Sequence, residues 1–278
     1  SRARRRGPPT RKATLTFAPS FKAAYRARGS APLTGSDGPL LHEYVVSELT
    51  PRHELTAMLH GLGSSGQLET ALQLVQLALE VDAGADEGMA SIVLNRCAEL
   101  GRMDLCDELI HSLSDQSVPL SGLTYCILIK GHGRAGDVRL VSQTYTQMRK
   151  LHVAIDLPTF NALVDAFVRN GKLALAEAVL KQMASVGTAP TTRTYNTLLK
   201  GYAGTGQLGR AFAVVRRMRL DGAEPNQVTY NTLIHACVLR GELARARQIV
   251  RWLVDGQQRC IAGRPPPSVQ AFTALIRG

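Results

Sequence analysis

The chain has 278 residues, of which 45% are hydrophobic, and carries 33 Lys and Arg against 22 Asp and Glu, a formal net charge of +11. That apolar content is enough to bury a core, so intrinsic disorder does not describe the whole chain, and no run approaches the roughly 18 uninterrupted apolar residues of a membrane-spanning helix. Five cysteines (Cys97, Cys106, Cys126, Cys237 and Cys260), odd in number and without CxxC spacing, argue against a disulfide framework or a zinc ribbon.

The charge is concentrated at the start. Residues 1–36 hold nine Lys or Arg and no acid, which leaves 24 basic against 22 acidic residues in the remainder. A segment rich in Arg, Ser, Ala, Pro and Gly reads as a disordered basic tail, the remnant of an organellar targeting sequence. Such a tail is also suited to sequence-independent phosphate contacts. GSAPLTGSDGP at 29–39 reads as a linker, closing a tail-and-linker region over 1–39, and 40–51 as an N-terminal cap before the folded array.

From Arg52 the sequence repeats every 35 residues. The units are 52–86, 87–121, 122–156, 157–191, 192–226 and 227–268, the last stretched by seven residues in QQRCIAGRPPP, with a partial unit at 269–278. Glycine occupies the fifteenth place of every full unit: Gly66, Gly101, Gly136, Gly171, Gly206 and Gly241. Before it, apolar residues such as Tyr195, Leu198, Leu199 and Tyr202 recur at helical spacing, and after it a second stripe follows in Ala211, Val214, Val215 and Met218. The pattern predicts two helices per unit, a glycine C′ turn between them, and a second turn marked by GTAPTT and GAEPNQ. Neither helix buries its stripe alone, so the units must stack.

TYNTLL, TYNTLI and TFNALV opening 35-residue two-helix units resemble the pentatricopeptide repeat family, with P-type repeats, over residues 52–278. The resemblance implies an all-α, right-handed superhelical α-solenoid of helix-turn-helix repeats that binds single-stranded RNA in organellar processing, stabilisation or translation. The organelle it implies is the chloroplast, with the mitochondrion as the alternative. In the family, the fifth and last residues of a unit read one base together. The pairs here are Thr56 with Asp86, Ser91 with Ser121, Cys126 with Asp156, Asn161 with Thr191, Asn196 with Asn226, and Asn231 with Ser268; Thr273 opens an incomplete seventh. Carried over from the family, these pairs suggest 5′-G-N-(U/G)-Y-Y-Y-3′, with Y a pyrimidine. The same side chains can also hold the inter-repeat turn by bonding backbone groups. Among second-place residues, Leu123, Arg193 and Val228 are the base-stacking candidates. Lys130, Arg134, Arg169 and Lys200, all in first helices, are the phosphate candidates.

No HxE, HExxH or GxxxxGK[ST] occurs. Glu69, Glu177 and Glu242 read as solvent-facing, His42–Glu43 and His53–Glu54 as surface pairs, and Cys97 and Cys106 as core. The expectation is a non-enzyme without metal, cofactor or small-molecule substrate. Against the RNA-binding reading stands an interaction scaffold, a subunit holding proteins in a large organellar ribonucleoprotein or transcription assembly. Six bases read give modest specificity, and the near-neutral array offers few phosphate contacts.

Overall fold

The computed structural model describes residues 52–80, 86–258, 265–266 and 268–277. The basic tail, the cap at 40–51 and Cys260 lie outside them. Among the described residues there are thirteen helices and no strand. The fold is an all-α solenoid of helix-turn-helix repeats. First helices are α1 (Arg52–Ser65), α3 (Glu87–Leu100), α5 (Gly122–Ala135), α7 (Leu157–Arg169), α9 (Thr192–Gly204), α11 (Gln227–Leu239) and α13 (Val269–Arg277). Second helices are α2 (Leu68–Glu80), α4 (Met103–Asp115), α6 (Val138–Lys150), α8 (Leu173–Ser185), α10 (Leu208–Leu220) and α12 (Leu243–Gln258).

The glycine column does what its period suggests. Gly66, Gly101, Gly136, Gly171, Gly206 and Gly241 all have φ between 69° and 88°, a left-handed conformation that ends the first helix without a Cβ clash. The second turn uses the same conformation at Gly187 and Gly222, but in the two preceding units Ser117 and His152 occupy the equivalent place with φ of 54°. The glycine there is thus dispensable, at a steric cost.

The described residues divide into two compact units, one within 52–96 and 107–119, the other within 97–106 and 120–277. In the first, α1 packs on α2 through Leu55, Leu59, Leu62, Leu72 and Val75, all buried. Arg96 Nε donates to the Gly63 carbonyl at 2.9 Å, and Gln76 Nε2 donates to Ser112 Oγ at 3.0 Å. In the second, each first helix from α5 onward packs against its own second helix and against the first helix of the next unit, while each second helix also touches that next first helix. One apolar cluster runs from Cys126 and Ile129 through Phe160, Leu163 and Tyr195 to Val215 and Leu233, and another joins Leu208, Tyr230, Ile234 and Leu253. Gly133 permits the close approach of α5 to α7, since a Cβ there would lie 2.5 Å from Ala166 Cβ.

Two stability predictions follow from this packing. Leu199, 1% exposed, sits in the larger cluster, so Leu199→Ala should cost about 2–5 kcal/mol in urea denaturation. His152→Gly should instead raise stability by on the order of 0.5 kcal/mol, relief of left-handed strain outweighing the added freedom of the unfolded chain.

Candidate nucleic-acid interface

The last residue of each unit is the N-cap of the next first helix. Side-chain oxygens accept from backbone N–H groups at Asp86 (Met89, 3.1 Å), Ser121 (Leu123, 3.2 Å), Asp156 (Thr159, 2.9 Å), Thr191 (Thr194, 3.4 Å), Asn226 (Thr229, 3.2 Å) and Ser268 (Ala271, 3.1 Å). Each cap satisfies a helix N–H that would otherwise lack a partner and contributes about 1 kcal/mol. The turn-holding role therefore belongs to all six. At the fifth unit it leaves part of the side chain unspent: Asn226 is exposed, and its amide nitrogen makes no hydrogen bond among the described residues.

The fifth-place residues divide by type. Asn196, 8% exposed, donates from Nδ2 to Asn226 Oδ1 at 3.2 Å, while its Oδ1 accepts from Thr229 Oγ1 at 2.7 Å. Asn161 Oδ1 accepts from Thr194 Oγ1, also at 2.7 Å. Asn231 is held differently, with Oδ1 accepting from Ser268 Oγ at 2.6 Å and Nδ2 donating to Gln270 Oε1 at 3.1 Å. The remaining fifth-place candidates are not amides. Cys126 is part of the apolar core, the hydroxyl of Ser91 donates to the Gly88 carbonyl, that of Thr273 donates to Val269, and Thr56 is half-buried. Thr194 and Thr229 had no assigned role in the sequence reading, although the TYN motif contains them. Their hydroxyls face the preceding unit, which periodicity within a unit does not reveal.

At the second place, Leu123, Arg193 and Val228 are exposed. Val228 lines a cleft of about 570 Å³ together with Lys200, Asn231, His235 and Gln270, between α9, α11 and α13. The phosphate candidates are unequal. Arg169 is paired with Asp165 on its own helix at 2.6 Å and Arg134 leans on the Ala98 carbonyl at 3.5 Å, whereas Lys130 and Lys200 are exposed with no ion pair among the described residues. Among the described residues, the densest exposed positive charge lies elsewhere, on second helices: Arg210, Arg216, Arg217 and Arg219 on α10, and Arg245, Arg247 and Arg251 on α12.

Models of this repeat match in five places. One described as "PPR repeat family" covers residues 155–204 and 190–238, one described as "Pentatricopeptide repeat domain" covers 108–162, and one described as "PPR repeat" covers 55–80 and 228–251. The chain belongs to the pentatricopeptide repeat family. Among solved structures, the fold is similar to that of the pentatricopeptide repeat protein PPR10 in complex with an 18-nt psaJ RNA element (TM-score 0.59, 23% identity, 86% of this chain and 36% of that one). It is also similar to the PPR domain of Arabidopsis thaliana protein-only RNase P 1 in complex with tRNA (TM-score 0.50, 21% identity, 58% of this chain and 86% of that one). The chain thus spans about a third of the PPR10 chain. No curated protein shows a significant match.

Within this pentatricopeptide array, the acids are less uniformly solvated than expected. Glu177 is half-buried and accepts from Tyr202 Oη at 2.5 Å, and Glu242 pairs with Arg245 at 2.7 Å. Tyr195 donates its hydroxyl to Asp221, whose carboxylate also accepts from Arg217 Nε. Burial opposes ionisation of Asp221, but the Arg217 and Tyr195 bonds outweigh it and hold the carboxyl below its usual range. Among the described residues no group of His, Cys, Asp and Glu is placed to hold a metal ion, and no helix is long and apolar enough to cross a membrane.

Burial, reinforced by the neighbouring Asp221 carboxylate, pushes the Tyr195 hydroxyl up from 10.0 to about 12. A group whose folded pKa is raised contributes stability that is complete below its unfolded pKa and lost as pH rises through the folded one. Stability should therefore fall between pH 10 and about 12, by on the order of 2 kcal/mol from this residue. Tyr195→Phe should lose less than wild type over that window in denaturant titrations.

Proposed function

We propose that this protein binds single-stranded RNA along its first helices, with base preference set by the fifth- and last-place pairs, and that it acts in organellar RNA processing, stabilisation or translation. The observation that carries the reading is the wiring of Asn196 and Asn226. Thr229 and Asn196 engage both amide oxygens, so the exposed group that the pair has to offer is the Asn226 amide N–H. Cytosine presents acceptors at N3 and O2, whereas uracil presents an N–H at N3, so an offered amide N–H favours cytosine. The exposed Val228 and the cleft beside it leave room for a base next to Asn231.

The RNA-bound partner of the similar PPR10 structure supports the choice of ligand, and the acid-free basic tail supports an organelle, the chloroplast before the mitochondrion. The tail adds affinity without sequence preference.

Asn226→Asp tests this reading cleanly because aspartate caps a helix as well as asparagine does. The substituted carboxylate still accepts from Asn196 and Thr229, and its second oxygen accepts from uracil N3–H. Preference at this one base should move from C toward U by roughly 1–3 kcal/mol, measured by fluorescence anisotropy on RNAs differing only there. Equal weakening on every RNA would assign Asn226 a folding role alone.

A second reading, the interaction scaffold, is favoured by the arginines of α10 and α12, which stand on second helices away from the fifth- and last-place pairs. They suit an anionic surface of an assembly partner. RNA affinity indifferent to sequence in both proteins would select it.

A further inference from the structure

We propose that the buried threonine at the third place of a unit sets the base preference of the unit before it. The inference rests on the base-reading function above. Thr229 is fully buried, and its hydroxyl has one proton to give. The nearer acceptor is Asn196 Oδ1 at 2.7 Å, against 3.2 Å to Asn226 Oδ1, so the proton goes to the preceding unit's reader. An amide's oxygen and nitrogen sit on opposite arms of one planar group. Holding the oxygen on Thr229 therefore turns the nitrogen toward Asn226, where it donates one N–H and keeps the other. The threonine thereby determines that the fifth unit offers donors.

Three other junctions follow the same logic. Thr194 holds Asn161 of the unit before it in the same way, at 2.7 Å. Where the preceding fifth-place residue is Cys126, Thr159 has no amide to orient and donates instead to Asp156, its own helix cap, at 2.6 Å. After the sixth unit the third place is Ala271, which has no hydroxyl, and Asn231 is held by Ser268 with an N–H tied to Gln270. The sixth unit accordingly reads less sharply than the fifth, although both begin with asparagine at the fifth place. Neighbouring units are coupled through these hydroxyls, and a unit's pair does not act alone.

Thr229→Val keeps the shape of the side chain and removes the donor. It also removes the bond that Asn226 N–H makes to Thr229 Oγ1, so the measurement is a ratio of affinities and not an affinity. Wild type, Thr229→Val and Thr229→Ser are compared on RNAs carrying C or U at the base of the fifth unit, and on RNAs varied at the base of the sixth. Valine should lower the C-over-U ratio at the fifth unit's base by about tenfold, serine should restore it, and preference at the sixth unit's base should not change. Thr194→Val should do the same one base upstream, at the base of the Asn161 unit, and carries the test if Thr229→Val does not fold. An unchanged ratio in the valine variants, or a change at the base of the threonine's own unit, would overturn the proposal while leaving base reading intact. Wild type without preference at either base would overturn base reading and this inference with it.

Discussion

A helix of thirteen or fourteen residues with an apolar stripe has little stability by itself, and in this chain the missing partner is supplied by the next unit. From α5 onward, each first helix lies against the first helix that follows, with Phe160, Leu163, Tyr195 and Leu199 buried between such neighbours. Everything else depends on keeping those helices in phase. The left-handed glycines do so by ending each first helix at the same place, and the caps do so by starting the next one at the same place.

That phase brings polar side chains of adjacent units together at one edge of the core. The third-place threonines are as buried as the leucines around them, and a buried hydroxyl without a partner costs free energy comparable to a lost hydrogen bond. The amide oxygens of Asn161 and Asn196 satisfy Thr194 and Thr229, and in doing so become fixed themselves. Asn226 likewise spends its oxygen on a helix terminus and retains its nitrogen. Capping at Asn226 takes up the amide oxygen and leaves its N–H groups.

Charge follows a different division. Acids that pair with tyrosines, Glu177 with Tyr202 and Asp221 with Tyr195, tie first helices to second helices at the apolar boundary. Arg169 is spent on Asp165, while most exposed arginines of the later units lie on α10 and α12. The layer that carries the fifth- and last-place pairs is thus the less basic one. Affinity for a polyanion in such an array has to come from few lysines, from base contacts, or from the basic tail.

The repeat length, the helix pairs and the glycine turns were legible in the sequence, because each follows from spacing within one unit and spacing survives in one dimension. The left-handed turn at Ser117 and His152 was not legible, since those residues do not announce a conformation that costs them strain. Nor were the Tyr195–Asp221 and Tyr202–Glu177 bonds, which span 26 and 25 residues and pair a first helix with a second helix outside any local period. Cys126 occupies the fifth place by count yet joins the core, because burial depends on what packs across from it. The orientation of Asn196 was decided only by tertiary structure: an asparagine amide can face either way until a neighbour's hydroxyl, 33 residues on, accepts one arrangement and not the other.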